Sequence, residues 1–403
     1  VIPVAEARRR ILEAAAPLPA EVVPLSAGLG RVLAEPVVAR RTQPPFDVSA
    51  MDGWAVRAAD VASVPAVLRR IGEAPAGRRF PGAVGPGECV RIFTGAPVPD
   101  GADAVVIQED ADADGARVTM REAVAAGRHV RRAGLDFRAG EDAIPSGTVL
   151  TARHVGLAAA MGWPWLRVRR RPRVAVLATG DEIALPGEPL GPDQIVSANG
   201  PALAAFVAAC GGEPVDLGVA PDDADALARM AEAAAGHDVL VTSGGASVGE
   251  HDLVREGLVR GGMELGFWKI AMRPGKPLMT GRIGRTVVLG LPGNPVSSLV
   301  CALLFLRPLL LAMQGVADPG PRAEAARLGA AMGENDGRED HVRAEVTEGP
   351  GGLVATPLPR QDSSMFRALA SSGGLIVRPP RAPALPAGAE VPVLRFPASL
   401  AAV

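Results

Sequence analysis

Three segments of the chain pass from β-branched or leucine residues straight into small ones: LATGDE (177–182), VTSGGASVGEHD (241–252) and GLPGNPVSS (290–298). Gly244 and Gly245 permit close approach and φ > 0, so successive N–H groups there, beside Ser243 and Ser247, can cradle an anion. Thr179 and Gly180 end the first segment in the same way. In the third, Pro292 and Gly293 lead to Asn294 as an N-cap and Pro295 at the first helical position. The helix start that carries Ser297 and Ser298 offers free N–H groups to a phosphate. Any one of these loops reads as an ordinary strand-to-helix turn; three at the strand ends of one sheet point to a site. Asp181, Glu182, Asp222, Asp223, Glu250 and Asp252 stand beside them. Carboxylates next to an anion cradle suit Mg²⁺, which takes one or two carboxylates together with phosphate oxygens and water. Asp222 also reads as a helix N-cap, and Glu182 and Glu250 as solvated charges. No His/Cys cluster supports zinc.

A basic segment follows, FWKIAMRPGKP (267–277), with Lys269, Arg273 and Lys276. Pro274 and Pro277 fix a turn that presents Lys276. Lysine is nearly absent: of 42 Lys plus Arg, only Lys269 and Lys276 are lysine. Arginine replaces lysine well on a surface, so the two that remain are candidates for positions needing a compact ammonium. Ser243 and Ser247 have no acid–histidine relay in reach apart from nearby His251, so phosphate hydrogen bonding suits them better than nucleophilic catalysis.

The elements that must position these groups change character along the chain. Residues 1–46 read as helix, short strand and helix (28–39), and 137–170 return to the same domain with a turn and a helix over 154–161. Between them, 47–136 hold short strands and Gly/Pro turns, an inserted β-rich domain. From 171 to 319 strands and helices alternate: a strand at PRVAVLATG, a helix over 201–210, a strand over 214–218, a helix over 222–235, a strand at DVLVTSGG, and TVVLGLPGNP leading into a long apolar helix. That alternation predicts a doubly wound, mostly parallel sheet with ligands beyond the carboxyl ends of its strands. Residues 320–403 read as a small β domain. The fold class expected is α/β multidomain: an elongated discontinuous α+β domain, the inserted β-rich domain, the central doubly wound domain and a C-terminal small β domain.

Composition excludes several classes. The 403 residues carry a net charge of −2 and are 48% hydrophobic, so polyanions and membrane surfaces are poor default partners. Cys89, Cys210 and Cys301 are few and scattered, read as buried thiols of a reducing compartment. The first residues read as a charged amphipathic helix, not a signal peptide. The longest apolar stretch, from Leu299 onward, is interrupted by Arg307 and Pro308 and reads as too short for a membrane span. A soluble cytoplasmic protein is expected.

Together with SAMDGWAV (49–56) and TGAPVPDGADAVV (94–106), these segments resemble, in order and over essentially the whole chain, the signatures of the molybdopterin molybdenumtransferases, relatives of the gephyrin E domain. The resemblance implies a four-domain homodimer with its active site between the central domain of one subunit and other domains of the partner. It implies insertion of molybdenum from molybdate into adenylyl-molybdopterin, with Mg²⁺ and release of AMP, and contact with the molybdopterin adenylyltransferase. It brings in Asp52, Thr94, Asp136, Glu182, Asp222 and Asp252 as functional polar residues, with Glu182, Asp222 and Asp252 as metal ligands. Its cations are Arg131, Lys269, Arg273 and Lys276, with Arg343 and Ser363 from the C-terminal domain. Gly53 after Asp52 suggests a tight turn exposing that carboxylate. The chain departs from the family pattern at Arg273 (commonly Lys), Leu135 (often an acid), Asp362 (usually Gly) and Trp54 (usually Tyr).

Two other readings exist. An adenylyltransferase resembles the central domain alone, and the β-rich domains count against it. A non-catalytic scaffold leaves the acids and lysines without a purpose.

Overall fold

The computed structural model describes residues 1–244 and 253–396. They divide into two compact units: one of residues 1–35, 146–151 and the described chain from Arg167 onward, the other of Pro36–Pro145 and Ala152–Leu166.

In the first unit a six-stranded sheet forms from β1 (Arg173–Thr179), β2 (Glu213–Ala220), β3 (Val239–Ser243), β4 (Glu264–Trp268), β5 (Met279–Ile283) and β6 (Thr286–Leu291), in the order β2-β1-β3-β6-β5-β4. The first four in that order run parallel; β5 is antiparallel to β6 and β4 to β5. Side chains alternate between two cores, as a strand buried on both faces demands. Val174, Val176, Val239, Val241, Val287 and Leu289 face one cluster, and Ala175, Leu177, Leu240 and Val288 the other. Each fully buried Val or Leu contributes roughly 1.5–3 kcal/mol. Helix α1 (Asn199–Ala209) supplies Leu203 and Val207 to the first core, and α2 (Ala224–Ala233) and α3 (Leu253–Arg260) supply Leu227 and Leu258 to the second.

Helix α4 (Pro295–Cys301) continues through a π turn (Ala302–Leu306) into Arg307–Met313. The expected interruption does not occur. The chain passes Arg307 and Pro308 as one 19-residue helix, long and apolar enough by composition to cross a membrane, yet its apolar face is packed inside the first core. The π turn falls just before Pro308, whose missing N–H and bulky ring do not fit a regular helical ladder.

The N-terminal helix, Val4–Glu13, packs Val4, Ala7 and Ile11 into the same core. Five further strands close on themselves. Glu339–Gly349 pairs with both Gly352–Pro357 and Gly374–Arg378, and Glu324–Leu328 and Glu390–Arg395 complete the ring. Met272–Arg273 adds a parallel edge to Glu339 and Asp340, tying the basic segment to this small β domain.

The helix expected over 28–39 is absent. Val32 and Leu33 make bridges to Val149 and Val168, and Val37–Val38 pairs with Asp142–Ile144. Gly28, Gly30 and Pro36 disfavour a helix there, and the β-branched valines take strand pairings instead.

The second unit is built on a six-stranded sheet in the order Ala104–Ile107, Gly53–Val56, Glu88–Ile92, Ala66–Ala74, Arg117–Met120 and Ala111–Asp114. Trp54, Cys89, Val106 and Val118 fill one of its faces; Ala55, Val90, Ile92 and Val105 fill the other.

Candidate active site

The chain steps from β1 outward to β2 and back across to β3, so the sheet's switch point lies between β1 and β3. A cavity of about 490 Å³ opens there. Thr179 and Glu182 line it after β1, Ser243 and Gly244 after β3, and Pro292, Gly293, Asn294 and Ser297 after β6. The three loops singled out in the sequence do converge. Gly244 is required by geometry. Its φ is +105°, and a Cβ there would stand 2.3 Å from the Thr179 carbonyl oxygen. The rest of the expected anion loop, Gly245 and Ser247, and with it Asp252, Glu250 and His251, lies outside the described residues.

Two features of the cavity were not anticipated. Asn199, the first residue of α1, donates from its amide nitrogen to Ser243 Oγ (2.8 Å) and to the Gly293 carbonyl (2.7 Å). The chain has only three asparagines, which is the one signal that could have drawn attention to it. The second feature is an apolar wall of Ile183, Ile195 and Val196, with Ile195 59% and Val196 46% exposed. It is held by pairing of Ile183–Ala184 with Ile195–Val196 and has no periodicity to reveal it in sequence.

Beside the cavity stands an acidic corner. Asp223 accepts from the Ala226 N–H (2.7 Å) and caps α2, so Asp222 is not the cap. Asp222 donates its backbone N–H to Asp181 Oδ1 (3.1 Å). Its carboxyl is held above the usual range by partial burial, then by the charge of Asp181 and that of Glu182. The Glu182 carboxylate folds back over Gly180, within 2.5 Å of where a Cβ would stand. Among the described residues no group of three or more His, Cys, Asp or Glu is arranged to hold a metal. Mg²⁺ needs only one or two carboxylates, with phosphate oxygens and water completing its shell, and unrelieved negative charge at Asp222 is what such a cation would relieve. Glu182 and Asp222 therefore fit the ion.

The basic segment separates its charges. Arg273 is committed: it pairs with Asp340 and, at 3.4 Å, with Asp336, and Asp340 raises its pKa. Lys269 takes φ +74° and sets its ammonium 3.7 Å from the centre of the Trp268 ring. Lys276 is exposed, and among the described residues nothing pairs with its ammonium. Its neighbour Pro277 lines the cavity, and Gly275 of the same turn rests on the buried Cys301 thiol.

Two expectations for the C-terminal domain divide. Ser363 reaches the site: its hydroxyl accepts from Asn294 Nδ2 (2.9 Å) and its carbonyl from the Val296 N–H (3.1 Å). The Asn294 side chain is thus used on Ser363; it sits at the N-cap position without capping. Arg343 is 1% exposed, and its guanidinium donates to Gln361 Oε1 and to the carbonyls of Arg360 and Met365. It holds the segment that carries Ser363 and does not line the cavity. Asp362 accepts from the Ser364 N–H and hydroxyl, closing a local turn where the family pattern has Gly. Ser298 is fully buried, and among the described residues its hydroxyl has no partner.

The remaining candidates belong to the second unit. Asp52 Oδ1 accepts both the N–H (2.7 Å) and the hydroxyl (2.8 Å) of Thr94. Those two bonds, with the charge of Arg91, hold its pKa below the ordinary value. Gly53 is not in a tight turn: it begins a strand, and a Cβ there would meet the Val106 carbonyl oxygen at 2.0 Å. Close strand approach is what requires glycine. Arg91 braces the corner through the Gly53 carbonyl (3.0 Å) and Gln108. Arg131 is exposed on a short strand paired with Val48–Ser49, and Asp136 is exposed with its N–H on the Gln43 carbonyl.

Comparison with known proteins agrees along the chain. Residues 2–162 match the MoeA N-terminal region (domains I and II), 175–312 a probable molybdopterin binding domain, and 325–396 the MoeA C-terminal region (domain IV). Molybdopterin molybdenumtransferase 2 of Mycobacterium tuberculosis is 38% identical over 381 residues, covering 92% of this chain and 94% of the relative. The molybdopterin molybdenumtransferase of Bacillus subtilis is 32% identical over 402 residues, covering 98% and 94%. The crystal structure of a molybdopterin biosynthesis MoeA protein from Pyrococcus horikoshii superposes with a TM-score of 0.83 at 33% identity, covering 98% of this chain and 99% of that one.

Proposed function

Because the chain belongs to the molybdopterin molybdenumtransferase family, a group of transferases that insert molybdenum during molybdenum cofactor biosynthesis, we propose that its substrates are adenylyl-molybdopterin and molybdate and that insertion is coupled to Mg²⁺-dependent release of AMP. The observation that supports this most is the cavity at the switch point. It joins an apolar wall to a rim of small polar residues at three strand ends, with an acidic corner beside it in the same unit.

The chemistry asked of the protein is positioning and electrostatics, the general logic of phosphoryl cleavage. Ile195 and Val196 give a flat ring an apolar face. Ser243 and Ser297 hold phosphate oxygens, with Thr179, Gly244, Pro292 and Gly293 shaping the rim; the first turn of α4 adds little backbone, since Pro295 has no N–H and the Val296 N–H is taken by the Ser363 carbonyl. Mg²⁺, when bound, neutralises phosphoanhydride oxygens, and Glu182 and Asp222, joined by Asp252, are the residues that would hold it. Lys276 is the cation best placed to draw in molybdate, with Ser297 lining the cavity and Ser363 held beside it through Asn294, while Ser298 is too buried to touch the substrate. Arg273 contributes by fixing that turn to the small β domain. Asp52, kept ionised by Thr94, orients a polar group of the substrate, with Arg131 and Asp136 assisting. We assign these four to a second copy of the chain, in a cytoplasmic homodimer that receives its pterin from the molybdopterin adenylyltransferase.

The test is AMP release from adenylyl-molybdopterin in the presence of molybdate and Mg²⁺. Full activity in both Asp52→Ala and Lys276→Ala would remove these role assignments. Molybdate-independent consumption of ATP would favour an adenylyltransferase instead.

A further inference from the structure

We propose that Asn199 is a positioning residue of the substrate site, acting through Ser243 to aim a hydroxyl proton at an oxyanion of the bound pterin. The inference rests on the reading of the cavity as a molybdopterin site and deepens it.

The amide orientation follows from its partners. The Gly293 carbonyl can only accept, so nitrogen and not oxygen of the Asn199 side chain faces it, at 2.7 Å. The same nitrogen lies 2.8 Å from Ser243 Oγ. Its two hydrogens therefore serve these two acceptors, one each, and Ser243 Oγ is an acceptor in that bond. The Ser243 hydroxyl hydrogen must then point elsewhere. Among the described residues no acceptor takes it, although Ser243 is only 3% exposed and lines the cavity. A buried hydroxyl in that state is a donor prepared for a ligand oxygen.

The position of Asn199 strengthens the argument. It opens α1, while Ser243 ends β3 and Gly293 follows β6. One side chain thus ties together the starts of two of the phosphate-facing loops and the helix that borders them. Ser243 is adjacent to Gly244, and both line the same cavity. An anionic oxygen there would receive one hydroxyl donor already oriented, at no cost in rotamer freedom. Without Asn199 the Ser243 hydroxyl would lose the partner that fixes its rotor, and its proton would no longer be held toward the cavity.

The experiment is a double-mutant cycle read as Kd for molybdopterin, by quenching of intrinsic tryptophan fluorescence, on the full chain. Ser243→Ala and Asn199→Ala should each weaken binding about tenfold, the scale of one hydrogen bond to a charged group. The double variant should bind no more weakly than Ser243→Ala alone, because Asn199 acts through that hydroxyl. Losses that multiply in the double variant, or wild-type affinity in Asn199→Ala, would overturn the inference. The same cycle with the uncharged, near-isosteric Asn199→Leu covers the case in which the alanine variant does not fold. A wild-type chain that fails to bind molybdopterin would overturn the functional reading itself, an outcome distinct from multiplying losses.

Discussion

The acidic corner beyond β1 and the Asp52 corner of the second unit treat a carboxylate in opposite ways. Asp52 has its charge met by the Thr94 N–H and hydroxyl, with Arg91 nearby, and its pKa falls. Asp222 has partial burial and the like charges of Asp181 and Glu182 around it, and its pKa rises. A met charge is a finished part, ready to orient something else. An unmet one is a place kept for a cation. The basic segment repeats the contrast within three residues: Arg273 is met by Asp340, and Lys276 is unmet among the described residues.

The largest effect expected from this contrast is on turnover. Asp222→Asn and Asp52→Asn should each slow molybdenum insertion by about a hundredfold, the scale for removing one preorganised electrostatic group. Only Asp222→Asn should also abolish the rise in Tm that Mg²⁺ gives. If both variants keep that rise, the two corners do not differ in their need for a cation.

The next effect separates Arg273 from Lys276. Arg273→Ala leaves buried Asp340 unpaired and should cost about 1–3 kcal/mol in chemical denaturation. Lys276→Ala should leave stability unchanged and weaken the dependence of turnover on molybdate, measured as KM. Gly244→Ala forces a Cβ onto the Thr179 carbonyl at φ +105° and should cost about 1–3 kcal/mol or more, read as a lowered Tm.

The smallest effect is in pH dependence, and its sign differs between the corners. Asp222 has a raised folded-state pKa, so its ionised form lowers stability above that value and the cost is relieved as pH falls. Protons compete with Mg²⁺ there, so Mg²⁺ affinity should decline on acidification through the raised pKa. Asp52 has a depressed pKa, so its contribution is present above the ordinary carboxylate value and is lost only as pH falls through the lower folded value. Titration of the two carboxyl carbons by NMR should show Asp222 protonating first; the reverse order would contradict the contrast.

Much of this was legible in the sequence because it rests on local chemistry. Apolar runs passing into small residues, the alternation of strands and helices, and Pro295 after Asn294 were enough to place three loops at one cavity. Most of what escaped had a cause outside its own segment. The expected helix over 28–39 lost to pairing with Val149 and Val168. The apolar helix ran on past Pro308 because a π turn absorbed the proline. Arg343 and Arg273 carry the charge that a substrate site needs, but their partners are supplied by segments distant in sequence. Asn199 was missed for the same reason, since its two acceptors lie 44 and 94 residues away.

The most direct measurement is AMP release from adenylyl-molybdopterin by the purified chain, with molybdate and Mg²⁺ supplied together and each withheld in turn. Stoichiometric AMP and molybdenum-loaded pterin are expected only when both are present, with the rate falling about a hundredfold in Asp222→Asn. Molybdenum loading that proceeds unchanged without Mg²⁺, or without any release of AMP, would contradict it.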